Sequence, residues 1–368
     1  MEWREKTFVG LMGEVHLDRA YYHCAHCAKG QVPWEQELGI RGPHRQTPGA
    51  EQIVALHGVL DAFGEAAERV LRKASGLRLS ESTVQRVTED AGGRLANLWD
   101  EQRLLGADRT WDWQRDAQGR RCAYVSIDAI CVPMQGAGGA KAEGRMAYTA
   151  MIYNPQSEHD ERRRPPKQVR YLSGFHSLEA LGLKLRRQAG QVGWDEADQQ
   201  IALTDGGSGL EEFMHTNFPL AQCILDFYHA SEYVASLARA LYPQEDDFKK
   251  HHAAWCHQLK HQGGAALLAD WERIDLSGCS AAVRETHRVA TQYIRNNVHR
   301  TDYPSYLANG WQIGSGPVEA ACKTVVAKRL KNSGMRWGTD GANTVCHLRA
   351  LYLSEPDQWD EFWKTHRN

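Results

Sequence analysis

Residues 122–133 read CAYVSIDAICVP, and this stretch decides the fold class. It is dense in apolar and β-branched residues, a pattern that predicts a strand. One ionisable residue, Asp128, sits in its middle. A carboxylate inside an apolar strand is costly unless a cation or hydrogen-bond donors compensate it; an outward-facing position on a half-exposed strand is the ordinary alternative. Downstream, Arg145–Tyr153 and Gln168–Leu172 repeat the strand pattern, with a glycine-rich loop at 136–144 joining the first two into a predicted meander. A helix over Leu178–Ala189, a strand over Gln200–Thr204, a short helix over Gly209–Thr216 and a strand over Ala221–Asp226 follow. Hairpin-like strands succeeded by alternating helices and strands read as a mixed α/β sheet.

Outward from this core the character changes. Residues 1–45 hold short β-like runs (Thr7–Leu11, Glu14–Leu17) around Cys24-Ala-His-Cys27, and form a small β module. Residues 46–115 are helical, with Val54, Leu60, Val70 and Leu71 as apolar positions. A turn at Ser75-Gly76-Leu77 follows, and Ser80 is placed to cap a helix running to about Leu98. That is the outline of a helix-turn-helix, although any two-helix hairpin shares it. The first part of the core is assigned to 116–229 and an all-α segment to 230–310, with Trp255 and Trp271 as core anchors. The C-terminal part of the core, 311–368, opens a long helix at Gly314-Ser315-Gly316-Pro317.

At 368 residues, 42% hydrophobic and 24% charged, the chain is long enough for two or three units and a sizeable core. No apolar run approaches the roughly 20 residues of a membrane span. The start, MEWREKTFVG, lacks a basic-then-apolar signal, so a cytoplasmic protein is expected. Nine cysteines with one close pair do not make a disulfide framework. A net charge of −2 does not announce a nucleic-acid binder. Cations are nevertheless grouped: Arg69, Arg72, Lys73, Arg78 and Arg86; Arg162, Arg163, Arg164 and Lys167; and Lys323, Lys328, Arg329, Lys331 and Arg336. Screening confines charge effects to about 10 Å, so such clusters can bind phosphate on a near-neutral protein; they are also common as solvated faces.

Two further carboxylates qualify as site residues. Asp205 ends the strand IALT and opens Asp-Gly-Gly-Ser-Gly; ligand-binding groups in α/β sheets lie at the carboxyl ends of strands, while Asp-Gly also simply makes turns. Glu319 falls at the third helical position if Pro317 is the first, where a glutamate also suits the helix dipole and caps the amide ahead of it. Asp226 and His229, in ILDFYH, repeat the strand-end pattern, and Asp226 competes with Asp205. Three carboxylates without accompanying cysteines suit Mg²⁺ or Mn²⁺. A pair of such ions activates an attacking oxygen and stabilises the leaving oxygen of a phosphodiester.

The blocks RAYYHCAHCAKGQVPWEQELGI, VSIDAICV, ALTDGG, ILDFYHASEYV and IGSGPVEAACKTVVAKRLKNSGMRW resemble bacterial insertion-sequence transposases of the ISKra type, in the wider Mutator-like group. The likeness spans nearly the whole chain and is most specific in the last block. It implies an RNase H-like core with an acidic triad, mapped by motif to Asp128, Asp205 and Glu319, which hold the metal. Asp226 and His229 match the C/D-x-x-H signature that supports such sites, and the all-α segment matches the insertion these enzymes carry before the glutamate. It also implies a bacterial, nucleoid-associated protein that binds double-stranded DNA, both element terminal inverted repeats and target, as a homodimer or higher assembly. Arg72, Lys73, Arg86, Lys323, Lys328 and Arg329 are the expected DNA contacts. Such relatives carry a further cysteine pair upstream that completes a zinc ribbon with the pair matching Cys24 and Cys27. Here that pair is half a zinc site, with His16, His23 or His26 left to complete it, and a truncated or mis-started reading frame is the expectation. The implied activity is DNA cleavage and strand transfer. The rivals are an RNase H-like nuclease without joining and a catalytically idle, transposase-derived DNA-binding protein. A zinc hydrolase using Asp226, His229 and Cys24 is remote.

Overall fold

The computed structural model describes residues 1–40, 45–136, 140, 143–156, 168–207, 209–332 and 334–364. The cluster Arg162–Arg164 with Lys167, Ser208 and part of the glycine-rich loop lie outside them. A three-stranded antiparallel sheet comes first, made of β1 (Glu2–Gly10), β2 (Gly13–His23) and β3 (Gly30–Gln31), and is followed by the short α1 (Pro33–Glu37). The two short runs expected here are parts of strands β1 and β2, longer than their apolar cores suggested. Helix α2 (Pro48–Leu60) follows, then α3, a helical run over 63–74 whose middle, Ala66–Leu71, is π-helical, then α4 (Glu81–Asp100). Gly76 takes φ +70° in the turn before α4, a conformation that favours glycine. The Ser80 hydroxyl accepts from the Thr83 amide at 3.2 Å, which caps the helix as its sequence position requires.

The main sheet has five strands: β4 (Cys122–Met134), β5 (Glu143–Asn154), β6 (Gln168–Gly174), β7 (Gln199–Thr204) and β8 (Gln222–Leu225). Helix α5 (Leu178–Gln191) precedes β7, and α6 (Leu210–Asn217) precedes β8. The order is β6-β5-β4-β7-β8. The first three strands form an antiparallel meander, and β7 and β8 run parallel to β4. The protein is therefore mixed α/β, as its alternating pattern predicted. An all-α segment follows: α7 (Phe227–Leu241), α8 (Glu245–Trp271), α9 (Ala281–Asn297) and α10 (Tyr303–Ala308). Gly263, at φ +84° and ψ 170°, breaks α8 into two helices, a backbone conformation that is essentially glycine's alone. The chain closes with α11, continuous over 316–330 with a π-helical middle (Cys322–Ala327), α12 (Thr339–Leu353) and α13 (Pro356–Lys364). No described helix is long and apolar enough to cross a membrane.

Alternation along the strands splits the sheet between two cores. Cys122, Tyr124, Val132, Met151, Tyr153, Ile201 and Leu203 join one, with Trp271, Tyr303, Val318, Ala321 and Val325. Ala123, Val125, Ile127, Ile152 and Ala202 join the other, with Leu181, Leu185, Phe213 and Phe362. Helices thus cover both faces, which is why β4 reads as a nearly continuous apolar run. The helices of residues 48–100 take part in both cores, Val54 and Val84 in the first and Val59 and Leu95 in the second. Two buried arginines tie them to the C-terminal helices. Arg329 donates to Gly58 O at 3.1 Å. Arg349 donates to Val59 O at 2.5 Å, to Val325 O at 2.7 Å and to Thr324 O, the last two within the π-helical turn of α11. Trp271 is fully buried, and Trp255 packs edge-on against it at 5.6 Å.

Behind the sheet's edge, His176 stacks on His347 at 4.9 Å, with the two Nε2 atoms 3.1 Å apart. Burial lowers both pKa values, to about 4 for His176 and further below the usual range for His347. The unfolded chain titrates near 6.5, so below that pH it takes up protons that the folded protein refuses. Stability is therefore full above about 6.5 and is lost as pH falls toward 4, at up to about 1.4 kcal/mol per pH unit per proton. The urea midpoint is expected to drop between pH 7 and 5, and to drop less in His347→Gln; a wild-type midpoint unchanged over that range would contradict the assignment.

Candidate active site

Strands β4 and β7 pair from Cys122 opposite Gln199 to Ser126 opposite Leu203, where the Ser126 hydroxyl donates to Leu203 O at 2.6 Å. Two residues further along that register Asp128 comes level with Asp205. Thr204 opposite Leu225 brings Asp226 level with Asp205 in the same way. Level positions in a sheet share a face. By alternation this is the face of Tyr124, Ile201 and Leu203, the one packed by Val318, Ala321 and Val325 of α11. Asp128 within β4, Asp205 and Asp226 at the ends of β7 and β8, and the glutamate-bearing helix thus meet on one side of the sheet.

Asp128 is half-buried opposite Thr149 on β5. Burial raises its carboxyl pKa above the ordinary range and the charge of Asp205 adds to the rise, while the Ala129 amide, the Cys322 thiol and His229 act against it. The Ala129 amide donates to its Oδ1 at 2.7 Å. Asp205 follows β7 directly, and its Oδ1 accepts from the Gly207 amide at 2.8 Å. The Asp-Gly turn and the strand-end placement both hold. Glu319 is the fourth residue of α11, one later than expected, because the helix begins at Gly316 with Ser315 as its N-cap and Pro317 second. The expected cap onto the preceding amide gives way to Lys323, whose Nζ lies 3.8 Å from Glu319 Oε2. The buried thiol of Cys322 links the two halves. Its pKa is raised by burial first, then by the charge of Asp128, with Glu319 contributing.

Asp226 is turned to another use. It is 2% exposed and N-caps α7, with Oδ1 accepting from the Tyr228 amide at 3.2 Å and Oδ2 from the His229 amide at 3.1 Å. Oδ1 also takes the Ser315 amide at 2.9 Å, so the start of α11 hangs on this carboxylate. His229 is half-exposed, with Nδ1 3.6 Å from Glu232.

The donors offered by Asp128, Asp205 and Glu319 are all carboxylate oxygens. Asp128 is held partly out of water beside a like charge, a strain that a divalent cation relieves. This set fits Mg²⁺ or Mn²⁺. Among the described residues no three His, Cys, Asp or Glu side chains converge into one ligand shell. Cys24 and Cys27 lie at the turn between β2 and β3, both exposed. Hydrogen bonds from the Cys27 amide and thiol hold the Cys24 thiol pKa below its usual range.

Of the expected DNA contacts, Arg72, Lys73, Arg86, Lys323 and Lys328 are exposed. Arg72 is paired with Glu68 at 2.9 Å. Arg329 is a correction: it is 1% exposed, with its guanidinium over the rings of Phe63 at 4.6 Å and Trp337 at 4.8 Å. Burial lowers its pKa to about 10, with Arg349 adding to the shift. It holds the core together and offers nothing to a phosphate.

Sequence reading passed over Cys322, whose spacing of three from Glu319 puts it on the same helix face. It also passed over Tyr293 and Arg300, which reach Asp205 from the all-α segment. The chain matches no family model and no curated protein.

Proposed function

We propose that the protein is a DNA transposase that cuts element ends and joins them to target DNA through Asp128, Asp205 and Glu319. The observation that carries this reading is the meeting of Asp128, Asp205 and the Glu319 helix on one face of the sheet. Strand order and the position of the all-α segment between β8 and α11 support an RNase H-like core. Asp128, Asp205 and Glu319 would hold Mg²⁺ or Mn²⁺, which when bound neutralises charge on the attacking and leaving oxygens of a phosphodiester. Water attacks the phosphorus at the element end and the 3′-oxygen leaves, with the water's proton passing to it through solvent. The freed 3′-hydroxyl then attacks a target phosphodiester in line, displacing the target strand's own 3′-oxygen, which departs as a hydroxyl in exchange for the attacking proton. Lys323 and Lys328, exposed on the helix that carries Glu319, would meet the DNA backbone in this reading. Bringing two ends together calls for at least two copies of the chain.

The test is a labelled duplex carrying one terminal repeat of the protein's own element, incubated with protein and Mn²⁺. Expected are a nick that leaves a 3′-hydroxyl and a longer product in which that end is joined to target. Nicking without joining favours a nuclease, and binding without nicking favours an idle DNA-binding protein; either result removes the transposase reading.

A further inference from the structure

We infer that Arg300, supplied by the all-α segment, is a positioning residue that fixes Asp205 at the site. The inference rests on the proposed role of Asp205. Arg300 lies at the end of a 3₁₀ turn, Val298–Arg300, and is 1% exposed. Its Nη1 donates to Thr204 Oγ1 at 2.9 Å and its Nη2 to Asp205 O at 3.2 Å. The same Nη2 donates to Asn297 Oδ1 at 2.7 Å, and Nε lies 3.7 Å from Glu211 Oε2. Glu211, in α6, is held in turn by His299 at 2.5 Å.

The planar guanidinium therefore spans the last residue of β7, the carbonyl of the candidate ligand and the C-terminus of α9. A fork of donors in fixed geometry does this where a lysine's single ammonium cannot. A second residue packs against the turn. A Cβ on Gly206 would stand 2.5 Å from the Tyr293 ring, and Tyr293 is itself stacked on Tyr233 at 3.7 Å. The Asp205-Gly206 turn is clamped by two residues of one helical segment, while nothing in strand pairing holds it, because β7 ends at Thr204. The all-α segment thus does more than fill the gap between β8 and α11: it sets where the Asp205 carboxylate stands relative to Asp128.

Three variants and two readouts test this. Arg300→Met keeps the bulk without the fork, Arg300→Lys restores charge alone, and Asn297→Ala removes one anchor of the fork. Amide hydrogen exchange is followed on the full chain without DNA. Gly206 and Gly207 are expected to exchange at least about tenfold faster in Arg300→Met, with β4 and β5 unchanged, less so in Asn297→Ala, and with little recovery in Arg300→Lys. The second readout is Mn²⁺ binding by the protein alone, followed by paramagnetic resonance, together with the Mn²⁺ needed for half-maximal nicking. Arg300→Met is expected to weaken both about tenfold while leaving the Kd for duplex DNA in place. A purely structural arginine would lower thermal stability without changing the Mn²⁺ requirement of the folded fraction. Unchanged exchange at Gly206 and Gly207 overturns the inference, as does faster exchange with an unaltered Mn²⁺ requirement. If wild type neither binds Mn²⁺ nor nicks DNA, the proposed function fails, and the positioning of Asp205 for metal falls with it. Wild-type nicking together with a wild-type-like Arg300→Met defeats the positioning role alone.

Discussion

Asp128→Asn, Asp205→Asn and Glu319→Gln are each expected to nick the element-end duplex at below about one-thousandth of the wild-type rate, a loss of roughly 4 kcal/mol in transition-state stabilisation. Each substitution is nearly isosteric and removes a negative charge, so packing survives while the charge that would hold a divalent cation does not. For Asp128 the change also relieves a cost, since burial and Asp205 already raise its carboxyl pKa. Asp128→Asn is therefore expected to unfold at a urea midpoint equal to or above that of wild type, and to bind the duplex as tightly. Inactivity combined with undiminished stability separates a site carboxylate from a structural one. A variant that nicks within tenfold of wild type would remove its residue from the site.

Asp226→Ala should fail in the opposite way. Its carboxylate accepts three backbone amides, two at the start of α7 and one from Ser315. Losing a helix cap costs about 1 kcal/mol, and leaving buried donors unmatched adds about 1–3 kcal/mol, so the sum is near 3 kcal/mol. Asp226→Asn keeps one acceptor but turns an NH2 toward the other amide, and should lose about 1 kcal/mol. Urea unfolding reads these differences. The Asn variant is expected to retain at least about a third of wild-type nicking, which distinguishes a cap from a metal ligand. Nicking abolished in Asp226→Asn but kept in Asp205→Asn would exchange the roles of the two aspartates.

Much of this arrangement is legible from residue order. The strands announce themselves because burial on both faces demands apolar runs, and Asp128 and Asp205 stand out as charges at places where apolar residues are the rule. Glu319 is marked by the Gly-Pro start of its helix. Arg329 was misread on charge type, although periodicity held the correction: Val318, Ala321, Cys322, Val325 and Val326 mark the buried stripe of α11, and Arg329 continues it. Arg300 carries no such signal. Its partner Asp205 lies 95 residues away, and a contact across that distance leaves no local pattern. The N-cap that Asp226 makes on α7 is local, but its hold on the start of α11 is hidden for the same reason, since Ser315 is 89 residues distant.

Arg329 and Arg349 have a consequence for anyone wishing to rebuild the protein. One acceptor of each, Gly58 O for Arg329 and Val59 O for Arg349, belongs to the last turn of α2. A chimera that keeps residues 101–368 and borrows its leading helices from elsewhere would take the Gly58 carbonyl from Arg329 and the Val59 carbonyl from Arg349, leaving Arg349 with only its two acceptors on α11. A buried donor robbed of its acceptor costs about 1–3 kcal/mol, and more when it is charged, a large share of what holds a typical domain folded. The front helices are thus not an interchangeable attachment. Transplanting them succeeds only if the graft brings a helix end with two free carbonyls at the same place, or if both arginines are replaced by apolar side chains at the same time.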